Sequence, residues 1–199
     1  MERWIGKVAV VTGASSGIGA AVVVDLVNAG MIVVGLARRK DRVEALRKEI
    51  SPDAKGKLYA VKCDVSKDDD VVKSFAWIAF ELGSIEVLVN NAGVSNASAG
   101  GITSEGNEDQ LRQVLQTNLW GVVMCTKKAV EIMKRKKVVG AHIININSVV
   151  GHKIISFPGL NVYPASKYGI TAISEVLRNE FNADKAQYKI TVSRIFCYT

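Results

Sequence analysis

Proline, cysteine and histidine are scarce in this chain: 199 residues hold 3 prolines, 3 cysteines and 2 histidines. So few prolines, beside 48% apolar and 23% charged residues, exclude a disordered chain and describe a globular one. Cys63, Cys125 and Cys197 are odd in number, far apart and form no C-x-x-C pair. They exclude a disulfide framework and a zinc spacing, and read as small buried apolar side chains in a reducing compartment. No cluster of His, Cys and Asp has ligand spacing, so no metal is expected. Apolar runs of membrane-spanning length are missing too; Asp25 interrupts the most apolar stretch near the start. The opening "MERWIGK" lacks the basic-then-apolar order of a signal peptide. A cytoplasmic protein is expected. Linkers, repeats and low-complexity tracts are absent as well, and residues 1–199 read as one domain long enough to bury a substantial core.

Negative charge is in deficit, with 26 Lys and Arg against 19 Asp and Glu, a net +7. The densest basic cluster, "KRKK" at 134–137, falls at the expected end of a long helix, where cations complement the helix dipole. No zinc-finger, basic-zipper or aromatic RNA-binding pattern accompanies it, so no nucleic-acid partner is expected.

What the chain does have is alternation. Short, Val/Ile-rich runs at 7–12, 31–37, 57–63, 85–90, 141–148 and 189–196 are apolar throughout, as strands covered on both faces should be. Between them lie sets at helical spacing, such as Val43, Leu46 and Ile50, and Leu111, Val114, Leu115, Leu119 and Val122. Val22, Val23 and Val24 are poor helix formers, yet a parallel strand pair needs a crossover there, and Gly30 suits its C-terminal cap. The expectation is an α/β fold: a doubly wound parallel sheet with helices on both faces.

The stretch "VVTGASSGIGA" leaves the first strand and opens the first helix. Gly13 permits a tight turn, Gly17 lets the backbone approach a pyrophosphate, and Gly19 lets helix and sheet pack closely. The helix N-terminus offers N–H groups to phosphates, and Ser15 and Ser16 add hydroxyls. At the end of the second strand an NAD site usually carries a carboxylate for the ribose. Here Ala37 stands there, followed by Arg38 and Arg39, whose guanidinium groups suit a 2′-phosphate. NADP(H) is therefore the expected cofactor.

"YPASK" places Tyr163 and Lys167 four apart, on one face of a helix. An isolated tyrosine ionises near pH 10 (about 10), and a neighbouring ammonium favours the phenolate, which makes a usable acid/base. Ser148 ends the fifth strand, where a hydroxyl would hold a substrate oxygen beside Tyr163. Asn118, in "TNLWG", taken alone reads as an amide on a helix surface.

Taken in order, "TGASSGIG", "CDV" at 63–65, "NNAG" at 90–93, Asn118, Ser148 and "YPASK" resemble the short-chain dehydrogenase/reductase family over nearly the whole chain. The resemblance implies a Rossmann fold and cofactor contacts along the turn from Gly13 through Ser15, Ser16, Gly17 and Ile18 to Gly19. It implies Asp64 and Val65 by the adenine, Asn91 at the cofactor strand end, Lys167 on the nicotinamide ribose and Asn118 supporting a water of the proton relay. It also implies a homodimer or homotetramer. "MERW", "MIVVGLAR", "HIININSVVGHK" and the 15-residue separation of Ser148 and Tyr163 resemble members that oxidise isoprenoid alcohols such as farnesol or reduce keto-steroids. Val94, Phe157, Pro158 and Leu160 flank the expected site; they suit an apolar alcohol or ketone, or cover the core as loop residues.

The last stretch, "KITVSRIFCYT", begins as the sixth strand. In the resembling family that strand runs into a Ser-x-Pro-Gly-like turn, a substrate-covering segment and a further strand and helix. Here Phe196, Cys197 and Tyr198 stand in place of that turn, before Thr199. A C-terminally truncated chain is the expectation, with the catalytic residues present and the last strand and helix missing. A chain that binds NADP(H) without turnover remains the alternative.

Overall fold

A computed structural model describes residues 2–156, 159–184 and 188–195. Six parallel strands form one sheet: β1 (Val8–Thr12), β2 (Ile32–Ala37), β3 (Lys57–Lys62), β4 (Val87–Asn90), β5 (His142–Ser148) and β6 (Lys189–Ile195). Their spatial order is β3-β2-β1-β4-β5-β6. The chain enters at the centre, steps outward through β2 to β3, then returns to β4 beside β1 and steps outward the other way. That reversal opens a crevice at the carboxyl ends of β1 and β4, the switch point at which such sheets bind ligands. The expected strands all form, each within two residues of its expected bounds.

Among the described residues six α-helices connect the strands: α1 (Gly17–Asn28), α2 (Lys40–Ala45), α3 (Asp68–Glu81), α4 (Glu108–Leu115), α5 (Gly121–Arg135) and α6 (Tyr163–Ala183). Strand β1 is buried along its whole length and divides its side chains between two cores. Val8 and Val10 join Phe75, Ile78, Cys125, Met133 and Phe181, which belong to α3, α5 and α6. Ala9 and Val11 join Val23, Val27 and Val43 of α1 and α2. Burying each large apolar side chain in these layers stabilises the fold by about 1.5–3 kcal/mol, which outweighs the weak helix propensity of the valines in α1.

The end of α1 is set by Gly30, whose φ of +89° a side chain would resist. Its N–H donates to the Val27 carbonyl at 2.9 Å, and the Met31 N–H to the Leu26 carbonyl at 3.0 Å. The two bonds make a Schellman cap and turn the chain directly into β2.

One expected helix is interrupted. The apolar set from Leu111 to Val122 spans α4, a π-helical turn at Gln116–Trp120 and the start of α5. The wider turn rotates the buried stripe to Val114, Asn118 and Val122 and leaves Leu115 exposed. The basic cluster does cap a helix: Lys134 and Arg135 lie in the last turn of α5, and Lys134 bonds Asp184 at 2.6 Å. Among the described residues no helix is long and apolar enough to cross a membrane. Phe157, Pro158 and the four residues 196–199, Cys197 included, lie outside the described residues.

Candidate active site

The glycine turn is built around close approaches. A Cβ on Gly13, at φ +66°, would lie 2.7 Å from the Ala92 Cα, and one on Gly19 would lie 2.5 Å from the Gly13 carbonyl oxygen. Gly17, at φ +56°, faces open space. The turn is thus pressed against the end of β4 on one side and open above Gly17 on the other. Asn91 makes that contact: its Nδ2 donates to the carbonyls of Thr12 at 3.0 Å and Gly13 at 3.3 Å. Thr12 Oγ1 in turn accepts the N–H groups of Asn91 and Ala92, each at 3.0 Å. Ser16, which precedes α1, makes no side-chain cap bond to the helix.

A cavity of about 260 Å³ lies over this crevice. Four strand ends wall it: Ser15, Ser16 and Ile18 after β1, Arg38 and Arg39 after β2, Asp64 and Val65 after β3, and Asn91 to Val94 after β4. The open face at Gly17, the uncapped start of α1 and the two arginines fit a phosphate-bearing dinucleotide. Arg39 Nη2 donates to Ser15 Oγ at 3.3 Å, which brings one guanidinium over the turn. Asp64 is committed to its own loop: its Oδ1 accepts from Ser66 Oγ at 2.7 Å and Ser66 N at 3.1 Å. Cys63 and Thr117 also line the cavity, a role their sequence positions do not announce. Burial, foremost, pushes the Cys63 thiol up to about 11, against a hydrogen bond with Ser74 that lowers it, so the wall there is neutral.

The next group lies where α6 meets the ends of β4 and β5. Lys167 is buried, with its Nζ donating to the Ile146 carbonyl at 3.0 Å and lying 5.7 Å from the centre of the Tyr163 ring. Asn118 is only 1% exposed, which corrects its reading as a surface amide. It sits in the π-helical turn and grips the loop after β4. Its Oδ1 accepts the Val94 N–H and its Nδ2 donates to the Val94 carbonyl, both at 2.8 Å, and Nδ2 also reaches Ser166 Oγ at 3.1 Å. Gly93 lies between the two groups: a Cβ there would be 3.4 Å from Asn118 Oδ1 and 3.9 Å from Lys167 Nζ. Gly93, which lines the crevice cavity, thus borders both Asn118 and Lys167.

Ser148 ends β5 and accepts the Val150 N–H at 3.3 Å. The turn that follows is locked to α6. Thr171 Oγ1 donates to the Gly151 carbonyl and accepts from Asn147 Nδ2, each at 2.9 Å. A Cβ on Gly151 would lie 2.7 Å from the Lys167 carbonyl oxygen. Val94 lines the crevice cavity, and Leu160 is half-buried in the loop before α6.

Beneath the site runs an amide chain that sequence reasoning missed. Asn90 Nδ2 donates to Thr126 Oγ1 at 3.0 Å and Asn145 Oδ1 at 2.9 Å, and Asn145 Nδ2 donates to Ser174 Oγ at 2.9 Å. The available signal was "NIN" inside a strand covered on both faces, where a buried amide is expected to find a partner. No group of three or more His, Cys, Asp or Glu arranged to hold a metal occurs among the described residues.

Known proteins are similar to this chain in sequence and in fold. The profile described as "short chain dehydrogenase" matches residues 7–199. Farnesol dehydrogenase of Aedes aegypti is 53% identical over 191 residues, 96% of this chain and 77% of that protein. Dehydrogenase/reductase SDR family member 11 of Gallus gallus is 39% identical over 192 residues, 96% of this chain and 74% of that one. A metagenomic short-chain oxidoreductase solved in complex with NADP superposes with a TM-score of 0.79 at 28% identity, covering 98% of this chain and 84% of its own. A short-chain dehydrogenase/reductase from Burkholderia phymatum, in complex with NAD, superposes with a TM-score of 0.82 at 28% identity, covering 96% of this chain and 66% of its own. With that fold, that glycine turn and those matches, the chain belongs to the short-chain dehydrogenase family.

Proposed function

We propose that the chain carries out reversible hydride transfer between NADP(H) and an alcohol or carbonyl carbon of an apolar substrate, of the farnesol-like isoprenoid or keto-steroid class. The observation that carries this reading is the buried Lys167 ammonium beside the Tyr163 ring, next to Gly93 in the wall of the crevice cavity that the glycine turn and the two arginines line.

When bound, the nicotinamide accepts or supplies the hydride. In the oxidative direction the Tyr163 phenolate takes the substrate hydroxyl proton as the C–H bond breaks; in the reductive direction its hydroxyl returns that proton to the carbonyl oxygen. Lys167 favours the phenolate through its positive charge and is the residue to hold the nicotinamide ribose. The Ser148 hydroxyl orients the substrate oxygen, at a turn fixed by Thr171. Resemblance gives Asn118 a relay water; its bonds to Val94 and Ser166 support a further part, holding the loop between cofactor and α6. Arg38 and Arg39 are the residues for the 2′-phosphate, with no carboxylate at Ala37 to oppose it. The farnesol assignment draws on the 53% identity to the Aedes aegypti enzyme. The proposal extends to a cytoplasmic homodimer or homotetramer, as the family resemblance implies.

Tyr163→Phe tests the acid/base role. Turnover of farnesol with NADP⁺, or of a steroid ketone with NADPH, should fall by about 10²–10⁴-fold while NADP(H) binding persists. Undiminished turnover would refute the assignment.

A further inference from the structure

We infer that Asn161 is a positioning residue for Tyr163, tying the start of α6 to the loop that follows β4. The inference rests on Tyr163 being the acid/base. Asn161 stands two residues before Tyr163 in a left-handed backbone conformation, φ +22°, which asparagine tolerates better than most residues. Its Oδ1 accepts the Tyr163 N–H at 3.1 Å, a bond shared with the Leu160 carbonyl at 3.2 Å. Its Nδ2 donates to the carbonyls of Asn96 at 3.2 Å and Ser95 at 3.3 Å. Asn96 is anchored in turn, donating to the Gln110 carbonyl at 3.1 Å and Gln113 Oε1 at 3.0 Å on α4. Gly159 packs in the same seam; a Cβ there would lie 2.6 Å from the Ala97 carbonyl oxygen.

Two amides therefore hold adjacent residues of one loop against the first turn of α6. Asn118 grips Val94 and bonds Ser166, while Asn161 grips Ser95 and Asn96 and bonds Tyr163. Asn161 is not among the residues that line the crevice cavity, so its part is to fix the backbone from which the phenol projects.

The test uses the intact chain with NADP⁺ and farnesol. Asn161→Ala should lower kcat roughly tenfold or more and leave KM for NADP⁺ unchanged, because a small misplacement of a reacting group is costly. Amides of residues 162–168 should exchange faster with solvent in the same variant. Asn161→Asp keeps the acceptor for Tyr163 N–H and should recover part of the lost kcat. Unchanged exchange at 162–168, a wild-type kcat in the alanine variant, or an aspartate variant no better than alanine would overturn the inference. If Tyr163→Phe itself left turnover intact, the acid/base reading would fall instead, and the exchange measurement would still decide the part played by Asn161.

Discussion

Arg38 and Arg39 illustrate what a pair of side chains contributes at a strand end. Ala37 is buried and offers no carboxylate, so nothing repels a phosphate there. Arg39 reaches Ser15 across the mouth of the cavity, and both arginines line it. Charge-assisted hydrogen bonds contribute about 1.5–3 kcal/mol each, or roughly tenfold or more in affinity. The double variant Arg38→Ala, Arg39→Ala should therefore weaken NADP(H) by one to two orders of magnitude, about 10–100-fold, and NAD(H) far less. Titration calorimetry with both cofactors measures this; an equal loss for the two would remove the 2′-phosphate reading. These residues were legible because a charge at a strand end is a local feature. Asn118 was named by the family resemblance alone; its polar side chain by itself reads as surface, and only its partners, Val94 and Ser166, distant in sequence, reveal an interior clamp.

At the scale of elements, the strands were legible nearly to the residue, because burial on both faces demands continuous apolar runs. The interrupted α4–α5 segment was not. Helical spacing groups Leu111, Val114, Leu115, Leu119 and Val122, yet the π-helical turn puts Asn118 on the buried stripe instead. Leu119 then packs on Gly169 of α6, where a Cβ would come within 2.7 Å of its Cδ1. The β5–β6 pair should carry a pH response through His142. His142 on β5 lies 2.8 Å, by its Nε2, from Thr191 Oγ1 on β6. Burial first, then the charges of Lys189 and Arg3, holds its pKa below the usual 6.5. The unfolded chain thus binds the proton more readily than the folded one, so stability rises with pH through this window and is lost as pH falls below about 6.5. Thermal unfolding followed from pH 7 to pH 5 (about two units) should show an acid loss that His142→Gln reduces. A variant with the same acid slope as the parent would assign that loss to other groups.

For the whole molecule, the decisive feature is the switch point. The strands on the β1–β3 side carry the glycine turn, the arginines and Asp64, while the β4–β6 side carries Asn91, Ser148 and the anchoring of α6. A dinucleotide bound across the crevice bridges both halves and should stabilise the fold as a unit. At about 100 times Kd the gain is about 2.7 kcal/mol, which for a domain of this size raises Tm by roughly 5–10 °C. Differential scanning fluorimetry with NADPH checks this. No shift at saturating NADPH would argue against a cofactor site at the crevice.

The amino-acid sequence by itself determined the parallel sheet, the place of the glycine turn and the one-turn spacing of Tyr163 and Lys167 on α6. Each is encoded by neighbours a few residues apart, through alternation, a glycine spacing or one helical turn. Only the tertiary structure decided which amides are interior. Asn90, Asn118 and Asn145 are buried and find partners 24 to 55 residues away, half-buried Asn161 finds its own up to 66 away, and a polar side chain declares its role only when those partners are brought within hydrogen-bonding distance. The arrangement of the site follows from that closure: strands separated in the chain end together, and the side chains at their ends meet across a gap that no local pattern records.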